Sequence, residues 1–155
     1  MEIPELHVEF VFRRRPVSLP ADLRPGWRIG LVLLLLRLCS RRGRSSLTRL
    51  QTLSWAVRTE NTRAALRRVL AGVIAPDDIV VRFDPTLNRA LDFALGEGLL
   101  RRCGGNRIEL SPKGVQLADA LAQDESAFRS EKGFMQEVRQ EFTEALVSRI
   151  FRGAR

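Results

Sequence analysis

Apolar residues change their spacing along this chain, and each spacing predicts a different element. Near the start, Leu6, Val8, Phe10 and Phe12 alternate with His7, Glu9, Val11 and Arg13, the period of two of a half-buried strand. It stops at Arg13-Arg14-Arg15-Pro16, and Pro16, Pro20 and Pro25 mark an irregular connection. The strand pairs either within the chain or with a second chain. The run WRIGLVLLLLRLCSRR, residues 27–42, is apolar on all sides and predicts a central helix, ended by Gly43. Ser45 or Ser46 then caps a helix over residues 47–58, with Leu47, Leu50 and Leu53 facing inward. Thr59 caps a third helix over residues 60–71 that ends at Gly72, and Ile79, Val80 and Val81 read as a short strand leading into Asp84.

Asp84-Pro85 is a strong helix start, an acidic cap followed by proline where no amide partner is needed. Leu87, Leu91, Ala94 and Leu95 face inward on this helix. Residues 99–103 and 106–110 then flank Gly104-Gly105, a pair that tolerates positive φ and so predicts a hairpin. Ser111-Pro112 repeats the cap-plus-proline start. From there to Phe151 the pattern is mostly helical, with a break expected near Gly133. Phe134, Val138, Phe142, Leu146 and Ile150 recur every four residues as one apolar stripe. Helices, then a glycine-turned hairpin, then a capped helix is the order of a winged helix-turn-helix. The predicted fold is therefore mainly α with a small antiparallel β wing. The chain divides into an N-terminal strand and Pro-rich connection (1–26), a winged helix-turn-helix domain (27–118) and a C-terminal helical extension (119–155).

At 155 residues the chain suits one domain with appendages, and 45% hydrophobic with 28% charged residues excludes wholesale disorder. The net charge of +8 favours acidic partners, either nucleic acid or an acidic protein surface. Positive charge concentrates in residues 1–118, whereas residues 119–144 are net acidic. Two cysteines without CxxC spacing, and a single histidine, argue against structural zinc and a disulfide framework and point to a reducing cytoplasm. The apolar run at 29–36 is far short of the roughly 20 residues of a membrane span. Gly-rich phosphate loops, the G-x-S-x-G elbow and H-E-x-x-H are all missing, and Asp77-Asp78 reads as a turn. Neither catalysis nor a cofactor is expected.

That leaves binding. On the helix after Asp84, Asn88 and Arg89 are the candidate base readers in a major groove. Arg101, Arg102 and Arg107 on the hairpin, and Arg41, Arg42, Arg44 and Arg49 near the end of the first helix, are candidate phosphate contacts. The hairpin arginines could equally face a partner protein or only solvent. Trp55 is either core or an interface anchor. The stripe of Phe134, Val138, Phe142, Leu146 and Ile150 either makes a dimer or folds back on the first helix.

Leu110–Gly114, Leu-Ser-Pro-Lys-Gly, following Glu-Gly-Leu-Leu at 97–100, resembles the exit of the wing in many bacterial winged-helix proteins, where Thr usually stands at the position of Ser111. More narrowly, LTRLQTLSWAVR at 47–58 with RFDPTLNRALDFALGEGLL at 82–100 resembles the small middle component of bacterial ABC three-component systems, a grouping that includes Lamassu-type antiphage defence operons. The likeness spans roughly residues 27–121. It implies a non-catalytic accessory subunit that binds an SMC-like coiled-coil ATPase, alongside an effector subunit, and helps the ATPase hold DNA without strong sequence preference. The other expectation is a homodimeric winged-helix transcriptional regulator that binds its operator DNA.

Overall fold

A computed structural model describes residues 24–152. The strand expected at 6–12 and most of the Pro-rich connection lie outside the described residues. What is described is mainly helical, with a small three-stranded antiparallel sheet. The first helix, α1 (Pro25–Cys39), has proline in its first turn and is the centre of the packing. Leu31, Val32, Leu33, Leu34, Leu35 and Leu36 are all fully buried. Because its apolar residues surround the axis, α1 can be enclosed on several sides at once, by α2 (Leu47–Arg58), α4 (Pro85–Gly96), α5 (Pro112–Gln123) and α6 (Arg129–Val138).

The helix ends three residues earlier than its sequence suggests. Arg41–Gly43 form a single 3-10 turn in which Arg42 (φ 54°) and Gly43 (φ 64°) are left-handed. That reversal launches β1 (Arg44–Ser46), a strand too short and polar to be legible in sequence. Ser46 still caps α2, its hydroxyl accepting from Arg49 N at 3.1 Å. Thr59 and Thr62 form a capping box on α3 (Glu60–Leu70). After it, Pro76–Asp78 make a 3-10 turn, and residues 79–81 are irregular rather than a strand. The hairpin forms as expected, β2 (Leu100–Cys103) with β3 (Arg107–Leu110), but the left-handed pair is Gly105-Asn106 (φ 73° and 57°). β3 lies between the other two strands.

The Leu-Ser-Pro-Lys-Gly segment has a specific packing reason. Ser111 Oγ accepts from Gly114 N at 3.0 Å and donates to Gly98 O at 2.5 Å, tying the start of α5 to the end of α4. A Cβ on Gly114 would stand 2.0 Å from the carbonyl oxygen of Leu99. Backbone cannot yield as a side chain does, so Gly114→Ala is expected to cost about 3 kcal/mol. Gly133→Ala is the contrast: a Cβ there meets nothing within 4 Å, and alanine should stabilise the helix by roughly 0.5–1 kcal/mol. Urea melts of the two variants check this pair; equal midpoints would refute the crowding at Gly114.

Gly133 is inside α6, not at a break. The extension breaks instead at 124–128 and 139–143, before α7 (Glu144–Arg152). At the first break Asp124 accepts from Ser126 N (2.8 Å) and Ala127 N (3.3 Å), while Lys132 Nζ donates to Leu121 O (3.0 Å), one of the open carbonyls ending α5. Backbone turned by Asp and Ser thus ends the helix, and a lysine from the next one seals it. α6 and α7 fold back over α1 and α2, α7 also packs on the Pro76–Asp78 turn, and its Phe151 meets Phe83, just before α4, with ring centroids 5.4 Å apart.

Candidate nucleic-acid interface

Strand register decides where the hairpin arginines go. Arg44 and Arg101 both lie opposite Glu109, and Ser46 and Cys103 both lie opposite Arg107. Residues directly opposite share a face, and residues two apart on a strand share it too. Arg44, Arg101 and Arg107 therefore stand together around Glu109 on the outer face, while Ile108 and Ser45 are buried on the inner one. Arg44 donates from Nη2 and Nε to Glu109 Oε2 (2.7 and 3.1 Å), and this hydrogen bond raises its pKa further. Arg102 falls on the opposite face and reaches back towards α4, its Nη2 3.8 Å from Asp92 Oδ1. That pair is exposed and contributes little to stability. Neighbours in sequence thus serve different surfaces.

Beside the outer face lies an open cleft of about 800 Å³. One wall is arginine: Arg41 and Arg42 from the turn after α1, Arg44 from β1 and Arg107 from β3. The other wall is the α6–α7 connector, with Gln140 and Thr143. The left-handed backbone at Arg42 and Gly43 turns the two arginines before β1 to the surface, where both are exposed. Glu144 is occupied at the base of the cleft: its Oε1 accepts from Ser46 N (3.0 Å) and its Oε2 from Ser46 Oγ (2.7 Å). Among the described residues Arg41, Arg42, Arg101 and Arg107 have no carboxylate partner.

Arg49 leaves the set of phosphate contacts. It is 5% exposed, and its guanidinium donates to Phe142 O (2.7 Å), Ser40 Oγ (2.8 Å) and Cys39 O (2.5 Å). Burial lowers its pKa, against the charge of nearby Glu144. The residue is a bolt joining α1, α2 and the α6–α7 connector beneath the cleft. Nothing in the sequence around it signals this, because one of its acceptors, Phe142 O, lies 93 positions away.

On α4, Arg89 is exposed and Asn88 is tied down. Asn88 Oδ1 accepts from Gln51 Nε2 at 3.1 Å, and Gln51 also takes the amide of Asp84 (3.1 Å). Reading adenine needs both ends of an Asn amide, so the oxygen of Asn88 is already used. Sequence reasoning missed Phe93, which is 60% exposed on the outer side of the helix, one turn after Arg89. Counting four residues on from Arg89 would have placed it there. Asp84, the cap, pairs with Arg28 and lies 3.6 Å from Arg58, joining α1, α2 and α4.

The partner-contact candidates are mostly absorbed by the chain itself. Phe134, Val138, Phe142 and Ile150 are buried, and Leu146 is partly buried against the same core. Of the two readings of this stripe, the structure takes the fold-back, against α1 and α2, because the two turns let α6 and α7 pack separately. Trp55 is half-buried and packed on the core. Among the described residues no cluster of His, Cys, Asp or Glu could hold a metal ion, and no helix is long and apolar enough to cross a membrane. No protein-family model matches the chain, and neither a curated protein nor a solved structure matches it.

Proposed function

We propose that this protein is a non-catalytic winged-helix accessory subunit that binds an SMC-like ATPase of an antiphage defence complex and helps it hold DNA without strong sequence preference. The observation that carries the DNA part is the gathering of Arg41, Arg42, Arg44, Arg101 and Arg107 on one side of the sheet and its adjoining cleft. Such a surface contacts phosphates, which position a protein on nucleic acid but carry no sequence. The winged-helix reading is supported by the chain order α1, β1, α2, then α4 followed directly by the β2–β3 hairpin, with β3 central in the sheet. The ATPase partner rests on the resemblance of residues 47–58 and 82–100 to the middle component of three-component systems. Exposed Phe93 on α4 supports a protein contact on that helix, where a major-groove reader would carry polar side chains.

A homodimeric regulator would need a dimer surface, and the stripe that offered one is inside the chain's own core. The test is co-expression with a coiled-coil ATPase encoded beside this chain. Co-purification is expected, with DNA held by the complex. Arg101→Glu with Arg107→Glu is expected to cut DNA retention at least tenfold and leave the complex intact; Phe93→Glu is expected to release the ATPase. A chain that instead forms a dimer alone and binds one duplex sequence at nanomolar strength overturns this reading.

A further inference from the structure

The cleft between the arginine turn and the α6–α7 connector is too narrow to enclose a double helix. A sphere of 800 Å³ is about 11.5 Å across, whereas the major groove of a duplex is by itself about 12 Å wide. The space matches instead the volumes of pockets that enclose small ligands or a short stretch of chain. Its lining has five arginines against one carboxylate, and that carboxylate, Glu144, is held by Ser46. Arg49 is also held and Arg44 is engaged by Glu109, which leaves Arg41, Arg42 and Arg107 to face an occupant. Opposite them Gln140 and Thr143 offer neutral hydrogen-bonding groups. The one aromatic ring in the lining, Phe142, is fully buried, so no platform exists on which a base could stack.

From this we infer that the cleft seats the sugar-phosphate backbone of a single nucleic-acid strand, a few nucleotides long, with the bases left outside. The inference rests on the reading of the chain as a subunit that holds DNA, and it specifies which form of nucleic acid enters this site. Arginine forks bind consecutive phosphates on one wall, and the connector encloses the strand from the other. Affinity then depends on charge and not on base identity.

The experiment uses the full chain and fluorescence anisotropy with three labelled probes, a thymidine 12-mer, an abasic deoxyribose-phosphate strand of equal length and a 12-base-pair duplex, and two unlabelled competitors, ATP and polyglutamate. The thymidine and abasic strands are expected to bind within threefold of each other, and the duplex at least tenfold more weakly. For three phosphate contacts the plot of log affinity against log salt should slope at about −2. Arg42→Glu is expected to weaken single-strand binding at least tenfold. Gln140→Glu, on the opposite wall, should weaken it at least threefold, and Arg68→Glu on α3 should not. Thermal melts of each variant confirm folding. Duplex binding as tight as single-strand binding, or indifference to Gln140→Glu, overturns the inference and leaves the accessory-subunit reading standing. Micromolar competition by ATP, or equal competition by polyglutamate, reassigns the cleft to nucleotides or to acidic protein. No nucleic-acid binding in any form, alone or with the ATPase, removes both.

Discussion

Asp84→Ala is expected to destabilise the protein by about 4 kcal/mol, the largest single effect the structure supports. Two losses add. The carboxylate caps α4 by accepting from Thr86 N at 3.0 Å, and removing such a cap costs about 1 kcal/mol. It is also the partner of Arg28, whose side chain is 6% exposed, and breaking a buried pair from one side costs about 3–5 kcal/mol because the other charge stays buried. For a chain of this size the loss corresponds to about 10–15 °C in Tm. Asp84→Asn keeps an acceptor for the cap and loses the charge, so it should recover about 1 kcal/mol. The pH dependence supplies a second measure. Burial alone would raise the Asp84 pKa, but hydrogen bonds from Thr86 and the charges of Arg28 and Arg58 outweigh it and hold the carboxyl below its ordinary value. A depressed folded pKa contributes stability that is complete above the unfolded value, near about 4, and disappears as pH falls through the folded one. Urea midpoints of wild type and Asp84→Asn should therefore converge as pH falls through the folded pKa; a gap unchanged from neutral to acid would refute the ion pair. The Gln51 bonds go to the backbone of Asp84 and survive both substitutions.

Arg49→Met is the second large effect, expected at about 3 kcal/mol. Methionine matches much of the stem but leaves the carbonyls of Cys39 and Phe142 without a donor, at about 1–3 kcal/mol each, offset in part by removal of a buried charge. Arg49→Lys should rescue little, since one ammonium cannot span acceptors that the guanidinium fork reaches on separate elements. This variant separates structure from binding. Arg49→Met should lower the denaturation midpoint and leave the salt slope of nucleic-acid binding unchanged, whereas Arg42→Glu should do the reverse. A salt slope reduced by about one in Arg49→Met would return that residue to the phosphate contacts.

Local chemistry is what the sequence made legible. Asp84-Pro85, Ser111-Pro112 and Ser46 all cap helices as their residue types require, because each acts on amides two or three residues away. The hairpin was legible from its glycines, although Asn106 shares the left-handed pair that Gly104-Gly105 suggested. The all-apolar surface of α1 correctly implied a helix enclosed on several sides. What was hidden depends on approach from a distance. The ion pair of Arg28 and Asp84 spans 56 positions, and the acceptor of Arg49 at Phe142 is 93 away. An even four-residue spacing from Phe134 to Ile150 concealed two helices, since the intervening turn at 139–143 keeps Phe142 pointing into the core. β1 was invisible for a different reason: three residues, Arg-Ser-Ser, have no alternation to recognise.

The two walls of the cleft have very different birthdays. Its arginines at 41–44 leave the ribosome long before Gln140 and Thr143, and the helical trunk can assemble in the interval. Until α6 and α7 close over α1 and α2, the cations lie on an open slope without a facing wall. The enclosed cleft is thus a property of the finished chain alone.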